Sequence, residues 1–307
     1  MPYFLAMDAG GTKTEYVLAD ETRLLARVQS ETIKLMRTPA EQATANLDGA
    51  FRELESLSGV SLRNITSTCV GTAGNTVPLV TDWLRFELGR RVGGDLLLLG
   101  DVEIALDAAF PGEPGILVLA GTGSNAAGRT REGLIFGAGG YGPVLSDQGS
   151  GHRIGSQALR AVFIAIDEQR HTELLDAILQ FWKLRDTDEL ISYANTCPAS
   201  QFSGLARVVL NCAESGDPLA QEVLEEQGKE LAYLALLLHR HLLKVDGALW
   251  KPKVAFAGSI LQHVHPLREA LLKTLFAEIP DLYTRPGVVD AIEGALWRAR
   301  QALLAAK

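Results

Sequence analysis

Short apolar runs separated by polar turns open the chain, and this pattern predicts strands before any helix. Residues 3–7, 15–19 and 24–28 are each predicted to form a strand. A helix follows, because Thr38-Pro39-Ala40-Glu41 has the form of a capping box with proline at the first helical position, and apolar residues then recur at helical spacing. The first part of the chain is therefore predicted to be a β-meander that leads into a helix.

Strands and helices alternate beyond this point, and the strand-first pattern then starts again. The second start is a buried apolar run at residues 115–120, so a domain join is expected near residues 111–114. Before the join we predict strands at 65–71 and 96–99 and a helix at 78–88. After it we predict strands near 125–130, 134–138 and 253–257. Residues 156–243 are predicted to be mostly helical, and a final amphipathic helix follows the last strand. The pattern predicts an α/β protein of two domains.

Composition and charge argue against several classes of function. The 307 residues are 47% hydrophobic and carry a formal net charge of −8, which argues against a nucleic-acid surface built from clustered Lys and Arg. Cys69, Cys197 and Cys212 are widely spaced, so neither a disulfide framework nor a zinc site is expected. Neither a signal peptide nor an apolar run of about 18 residues is seen. We expect a cytoplasmic protein without a membrane or nucleic-acid partner.

Two strands end in turns of glycines and hydroxyl residues, Asp8-Ala9-Gly10-Gly11-Thr12-Lys13-Thr14 and Gly121-Thr122-Gly123-Ser124-Asn125. Glycine lets backbone N–H groups approach an anion, and a hydroxyl adds a further donor, so such turns suit phosphate oxygens. The alternative for the first turn is an ordinary hairpin with a favourable aspartate. Two such turns together favour the phosphate interpretation, since they could clamp a polyphosphate from both sides.

Three further features are candidates for chemistry. The Asp8 carboxylate at the end of the first strand is suited to Mg²⁺, which prefers oxygen ligands. Asp101 ends a buried strand and is either a proton acceptor in phosphoryl transfer or the N-cap of the helix that follows. The glycine-rich stretch 137–151, which contains Tyr141 and Asp147, is either a polar pocket or a flexible connector, and its few charges favour the pocket. No Gly-x-Ser-x-Gly elbow for a serine nucleophile is present.

The ordered motifs resemble those of the superfamily of sugar kinases, Hsp70 and actin. The two turns look like its phosphate motifs, Phe256-Ala-Gly-Ser-Ile like its adenosine motif, and Pro286 with Gly294-Ala295-Leu296 like its second connecting helix. Within it the chain resembles the BadF/BadG/BcrA/BcrD-type ATPase family, and more closely its N-acetylglucosamine kinase members. The closest matching stretches are Ala120 to Asn125 and Gly139 to Gly155.

The resemblance implies two ribonuclease-H-like (actin-like ATPase) domains, with mixed sheets flanked by helices and a cleft between them. The domains would be residues 1–113, completed by a C-terminal helix at 288–307, and residues 114–287, with a helical insertion and the adenosine motif. By this resemblance Asp101 is the catalytic base, Asp8 positions Mg²⁺, and the sugar-binding residues are Asn125, Gly140, Tyr141 and Asp147. The implied ATP-binding residues are Gly10, Gly11, Thr12, Lys13, Thr14, Gly121, Thr122, Gly123, Gly258 and Ser259.

The implied function is ATP-dependent phosphorylation of an amino sugar, with N-acetylglucosamine to its 6-phosphate as the leading expectation and a homodimer as the expected assembly. The chain departs from the family where Tyr141 replaces a tryptophan, where Gln148 replaces a glutamate, and between Ser30 and Thr38, where the family's asparagine loop is absent. The alternatives are a glucosamine or other hexose kinase, an iron–sulfur ATPase that activates a radical dehydratase, and a non-enzymatic sugar or nucleotide sensor.

Overall fold

The computed structural model describes residues 1–247 and 250–305 and divides into two compact units. Unit 1 consists of Met1–Glu113 together with the segment that begins at Val289, and unit 2 consists of Pro114–Val288. Each unit contains its own sheet, with helices packed against it. The predicted mixed α/β class is therefore confirmed.

The sheet of unit 1 has the strand order β3-β2-β1-β4-β5. β1, β2 and β3 pair antiparallel as a meander, whereas β1, β4 and β5 run parallel. Residues that alternate along β1 enter two apolar clusters, with Leu5 and Met7 on one side and Phe4 and Ala6 on the other. The strands are β1 (Tyr3–Ala9), β2 (Lys13–Ala19), β3 (Leu24–Glu31), β4 (Ile65–Thr72) and β5 (Asp95–Leu99).

The helices of unit 1 are α1 (Ala40–Ser58), α2 (Pro78–Gly89), α3 (Asp101–Ala109) and a C-terminal helix (Ala291–Ala305). The predicted capping box is wrong in its register, because Pro39 is the N-cap of α1 and no side chain caps the helix. The reason is local: the Thr38 N–H donates to Lys34 O in the preceding turn at 3.1 Å. The predicted final helix spanned 288–307, of which residues 306 and 307 lie outside the described residues.

Close helix packing joins the C-terminal helix to α3 within unit 1. A Cβ on Gly294 would lie 1.8 Å from the Ile104 carbonyl oxygen, so only glycine permits this approach. One turn further along, the Arg298 guanidinium pairs with the fully buried Asp107 carboxylate through Nε and Oδ2 at 2.5 Å. The last described segment of the chain is thus part of the core of its first unit.

The sheet of unit 2 has the order β8-β7-β6-β9, in which β6, β7 and β8 form an antiparallel meander and β9 runs parallel to β6. The predicted second strand-first pattern is confirmed. Its strands are β6 (Gly115–Ala120), β7 (Ser124–Arg129), β8 (Ile135–Gly139) and β9 (Val254–Ala257).

The helices of unit 2 surround this sheet and include the predicted helical stretch. They are α4 (Gly151–Asp167), α5 (Glu173–Trp182), α6 (Thr187–Thr196), α7 (Ser200–Glu214), α8 (Pro218–Asp246), α9 (Ser259–His263) and α10 (His265–Glu278). The buried faces of α4, α7 and α8 share one apolar cluster with β6 and β9. Across residues 1–247 and 250–305, every helix falls short of the combined length and apolarity that a bilayer crossing requires.

Candidate functional site

The first glycine turn joins β1 to β2 in unit 1 and presents its side chains to solvent. Gly11, Thr12 and Lys13 are exposed, and a Cβ on Gly10 would lie 2.9 Å from Lys13 O, so the turn requires glycine there. The Lys13 ammonium donates to Glu15 Oε1 at 2.9 Å and to Gln29 Oε1 at 3.1 Å. The turn thus exposes backbone and hydroxyl donors, and a lysine lies at its end.

The segment after β3 supports this turn from inside. The Thr32 hydroxyl donates to Gly10 O at 2.8 Å, and the Ile33 N–H donates to Thr14 Oγ1 at 3.2 Å. Thr14 is fully buried, so its hydroxyl acts within the protein, as a support for the turn. Thr32 was not found from the sequence, because its contact with Gly10 spans 22 positions of the chain.

Asp8 and Asp101 lie at the same edge of the first sheet. In the parallel ladder Asp8 is in register with Gly71 of β4, and Gly71 is in register with Leu99 of β5, two residues before Asp101. The carboxyl ends of parallel strands are where open α/β sheets place their ligands. Asp101 is the first residue of α3 and Gly100 is its N-cap, so the alternative in which Asp101 itself caps the helix is wrong.

The environment of Asp8 favours its protonated form. Burial is the largest cause and the nearby carboxylates of Asp101, Glu15 and Asp290 add to it, so that the pKa of Asp8 rises from its ordinary 3.8 to about 7. Because a bound cation would offset both effects, this carboxyl is a suitable ligand for a divalent metal.

Glu15 and Asp290 were missed by sequence reasoning. Arg27 binds both, through Glu15 Oε2 at 2.5 Å and Asp290 Oδ2 at 2.8 Å. Glu15 could have been identified, because the predicted hairpin of the first two strands places it directly opposite Asp8. No comparable local signal was available for Asp290, which is brought in by the C-terminal segment.

Asn75 is a further polar residue at this edge that the sequence did not reveal. It lies in the turn after β4, and its amide nitrogen is 3.7 Å from the place where a Cβ on Gly100 would be. The side chain is therefore next to the residue that precedes Asp101. Its position at the carboxyl end of a strand was a usable signal, since Asp101 was found by the same reasoning.

The second glycine turn joins β6 to β7 in unit 2 and is bound by the start of α4. The Gly151 N–H donates to Gly121 O at 2.8 Å, and the His152 N–H donates to Thr122 O at 3.2 Å. Within the turn, Gly121 N–H donates to Gly123 O at 2.8 Å. Two of the turn's carbonyls are thus paired with N–H groups that α4 does not use internally.

Asp147 contacts this turn directly. Its Oδ1 accepts from the Ser124 N–H at 3.2 Å, and its backbone has φ 70°, a left-handed value that aspartate tolerates. The Ser124 hydroxyl donates to Gln148 O at 2.6 Å, and the Gly149 N–H donates to the buried Gln227 Oε1 at 3.1 Å. Asp147 itself is 6% exposed. The stretch 137–151 is consequently anchored at its second half, unlike a flexible connector.

The other predicted sugar residues lie together where β7 meets the end of β8. Asn125 pairs with Gly139 across the sheet, and a Cβ on Gly140 would be 3.2 Å from that of Asn125. The Tyr141 N–H donates to Ser146 Oγ at 3.2 Å, while the Tyr141 side chain is 71% exposed. The structure brings Asn125 and Gly140 together and leaves the Tyr141 ring in solvent.

The predicted adenosine residues adjoin the second turn. Gly258 directly follows β9 and has φ 93°, and a Cβ there would lie 2.3 Å from Ala120 O. Ser259 Oγ is 3.9 Å from the position of a Cβ on Gly121. Parallel pairing of β6 with β9 explains this proximity, since both strands end at the same edge.

The cysteines have environments that oppose metal binding through sulfur. Burial is the first cause that raises the pKa of Cys69, to about 12, and burial also raises the pKa of Cys197 and Cys212. Cys69 lies in β4 of unit 1, whereas Cys197 follows α6 and Cys212 lies in α7 of unit 2, so within each unit the cysteines are too few for the four ligands of an iron–sulfur cluster. In the described part of the chain no three His, Cys, Asp or Glu residues are grouped to hold a metal ion.

Known proteins with similar sequences are sugar kinases. An N-acetylmuramic acid/N-acetylglucosamine kinase from Clostridium acetobutylicum is 28% identical over 308 residues, covering 98% of this chain and 99% of the relative. A glucosamine kinase from Vibrio cholerae is 26% identical over 298 residues, covering 96% and 95% of the two chains.

Solved structures agree in fold. A proposed N-acetylglucosamine kinase from Chromobacterium violaceum has a TM-score of 0.74 at 25% identity, covering 96% of this chain and 98% of the other. A ROK hexokinase from Thermus thermophilus has a TM-score of 0.62 at 18% identity, covering 98% and 99% of the two chains, which shows a shared fold. The predicted actin-like fold class is confirmed.

The resemblance drawn from the glycine turns is confirmed at the level of the family. The model of the BadF/BadG/BcrA/BcrD ATPase family matches residues 5–297, nearly the whole chain. This protein therefore belongs to the BadF/BadG/BcrA/BcrD ATPase family.

Proposed function

We propose that this protein is an ATP-dependent kinase that phosphorylates the primary hydroxyl of N-acetylglucosamine. The observation that carries the proposal is the placement of Asp101 beside Asp8 at the carboxyl edge of the first sheet. The bond between the γ-phosphorus and the oxygen that bridges it to the β-phosphate breaks, and a new bond forms to the sugar oxygen. ADP leaves, and the hydroxyl proton passes to the Asp101 carboxylate.

Asp101 is suited to accept this proton because its carboxyl is oriented but not buried. Its Oδ1 accepts from the Val102 N–H at 2.9 Å, and the residue is half-buried at the start of α3. Fixing a base in this way reduces the reorganisation needed in the transition state. Asn75, which lies near Gly100, is a candidate to orient the same hydroxylated substrate.

Asp8 is the proposed ligand for Mg²⁺. Its raised pKa reports a carboxyl that is stabilised when a cation neutralises the surrounding carboxylates, which fits an oxygen-ligated metal. When bound, Mg²⁺ would neutralise charge on the phosphate oxygens. We therefore expect ATP turnover to require Mg²⁺.

The glycine turns are proposed to hold the nucleotide. In unit 1 these residues are Gly10, Gly11, Thr12 and Lys13, and the buried Thr14, predicted with them, supports the turn from inside. In unit 2 they are Gly121, Thr122 and Gly123, with Gly258 and Ser259 against the adenosine. Turns of this kind aim backbone donors at phosphate oxygens, where they stabilise charge that develops during transfer. The proximity of Ser259 to Gly121 supports assigning both to one nucleotide.

The sugar is proposed to bind Asn125, Gly140, Tyr141 and Asp147. N-acetylglucosamine is favoured because the Clostridium acetobutylicum relative and the Chromobacterium violaceum structure both carry that sugar in their names. N-acetylmuramic acid and glucosamine are the alternatives, since they appear in the names of relatives. The exposed Tyr141 ring and Gln148 are the residues proposed to determine which of these sugars binds.

Coupled ADP-release assays over N-acetylglucosamine, N-acetylmuramic acid, glucosamine and glucose test the proposal directly. We expect the highest kcat/KM with N-acetylglucosamine, a 6-phosphate product by mass spectrometry and NMR, and a loss of at least about a hundredfold in Asp101→Asn. Folded protein that releases no ADP with any of these sugars, or full activity in Asp101→Asn, would exclude this function.

We also propose that the kinase works as a homodimer in the cytoplasm. Sedimentation velocity over a range of protein concentrations tests the assembly, and a monomer at every concentration would exclude it.

A further inference from the structure

The segment from Asp147 to His152 holds the second glycine turn from two sides. On one side the Asp147 carboxylate accepts from the Ser124 N–H at 3.2 Å. On the other side the Gly151 and His152 N–H groups donate to the Gly121 and Thr122 carbonyls. The shape of the turn therefore depends on a segment about 25 positions further along the chain, and the proposed function assigns the first residue of that segment, Asp147, to the sugar.

Asp147 approaches the turn closely enough to constrain its backbone. A Cβ on Gly123 would lie 3.2 Å and 3.3 Å from the two carboxylate oxygens of Asp147, so the carboxylate is packed against that glycine. Asp147 is 6% exposed, and its own N–H donates to Ser146 Oγ at 2.6 Å. The Asp147 side-chain oxygen is therefore a fixed acceptor for the Ser124 N–H at the end of the turn.

The turn and the Asp147 segment are tied together by a second bond and are fixed to α8. The buried Ser124 hydroxyl donates to Gln148 O at 2.6 Å, and Gln227, which is 1% exposed, accepts from the Gly149 N–H. Loss of the Asp147 side chain would leave the Ser124 N–H without this carboxylate acceptor and free the end of the turn to move.

We propose that Asp147 is a positioning residue for the nucleotide turn, so that nucleotide affinity depends on the acceptor oxygen of its side chain even when no sugar is present. This inference rests on the proposed function, which assigns phosphate binding to that turn. It also implies that sugar and nucleotide affinities are coupled through Asp147, because one carboxyl group would serve both.

Two substitutions separate the acceptor from the charge. Asparagine and glycine both tolerate the φ of 70° at this position, but only asparagine keeps an oxygen that can accept from Ser124 N–H. The negative charge of Asp147 repels a nearby phosphate, so removing this charge in Asp147→Asn does not lower the affinity for the nucleotide. We expect Asp147→Asn to bind ADP as well as the wild type or better, and Asp147→Gly to bind it about tenfold more weakly.

The measurement is isothermal titration calorimetry of each full-length variant with ADP and Mg²⁺ in the absence of sugar. Leu145→Ala is the matched control, because this 78% exposed side chain belongs to the same loop and is expected to leave ADP affinity unchanged. Ser124→Ala removes only the hydroxyl bond to Gln148 O, and we expect an intermediate loss. It also serves as the test if Asp147→Gly fails to fold, as judged by circular dichroism.

The outcomes are distinct. An Asn variant close to wild type together with a weakened Gly variant supports the positioning role. Equal ADP affinity in wild type, Asp147→Asn and Asp147→Gly overturns it and leaves the proposed kinase function intact, since Asp147 would then serve the sugar alone. Equal weakening of the Asn and Gly variants also overturns it, because charge and not the acceptor would be responsible. A folded wild type that binds no ADP refutes the proposed function itself.

Discussion

Replacing Asp8 by asparagine is expected to stabilise the protein at pH 8 and to abolish its Mg²⁺-dependent activity. Burial, followed by the carboxylates of Asp101, Glu15 and Asp290, raises the pKa of Asp8 to about 7, and Lys13 opposes this only in part. Asparagine has nearly the same shape but carries no charge. The folded state therefore loses an unfavourable charge, while the proposed metal loses a ligand.

The direction of the pH dependence follows from the folded pKa, which lies above the ordinary value of 3.8. The folded state binds the proton more tightly than the unfolded state, so the free energy of unfolding falls as the pH rises between these two values. Below about pH 4 the wild-type carboxyl is protonated and resembles asparagine. The advantage of Asp8→Asn should consequently grow from pH 4 to pH 7 and stay constant above it.

The size of the effect follows from the same shift. At about 1.36 kcal/mol per pKa unit, the interval from 3.8 to about 7 corresponds to an upper limit of about 4 kcal/mol. Asp8 is part-exposed, and water screens its interaction with the other carboxylates, so we expect about 1–3 kcal/mol at pH 8.

Urea unfolding of wild type and Asp8→Asn at pH 5, 6 and 8, with and without Mg²⁺, measures this directly. The exposed Asp95, in the same unit, provides Asp95→Asn as a control with no expected change. Mg²⁺ should raise the wild-type midpoint at pH 8 more than that of Asp8→Asn. The reasoning is refuted if Asp8→Asn is less stable than wild type at pH 8, or if its advantage is the same at pH 5 and pH 8.

Four further substitutions have defined outcomes. Gly294→Ala places a Cβ 1.8 Å from a carbonyl oxygen of α3 and should lower the thermal unfolding midpoint sharply. Its control, Gly49→Ala, lies in open space within α1 and should raise the free energy of unfolding by about 0.5–1 kcal/mol. The reverse order of the two midpoints would contradict this packing. Arg298→Met removes one charged partner of the buried Asp107 carboxylate and should cost about 1–3 kcal/mol in urea unfolding, and an unchanged urea midpoint would contradict this role of the ion pair. Asn75→Ala should raise KM for the sugar about tenfold in the ADP-release assay with little change in KM for ATP, and an unchanged sugar KM would remove Asn75 from the site.

The sequence named candidate site residues where the argument depends on local chemistry. The turns at Gly10 and Gly121 were recognisable because glycine, hydroxyl residues and the preceding apolar runs are contiguous in the chain. Asp101 became a candidate because it ends a buried strand, where open α/β sheets place their ligands, and the family resemblance then favoured a catalytic role over a helix cap. Each of these inferences needed only residues within one or two elements.

The parts that were missed depend on contacts between distant positions. Asp290 reaches Arg27 only because the end of the chain packs on its beginning, and the bond from Ser124 to Asp147 joins a strand to a loop 23 positions away. The capping box at Thr38 failed for the opposite reason, since a competing backbone turn from Lys34 was not visible in a side-chain pattern.

The placement of the C-terminal helix has a consequence for the order in which the protein is made. Unit 2 is one uninterrupted stretch, Pro114–Val288, whereas the partner of α3 is synthesised only after that stretch is complete. During translation, the surface of α3 that receives Gly294 stays uncovered until the C-terminal helix is made. The ion pair between Asp107 and Arg298 likewise forms only after Arg298 has been synthesised. Unit 2 can therefore fold before unit 1 is complete, because unit 1 requires a helix that is synthesised after unit 2.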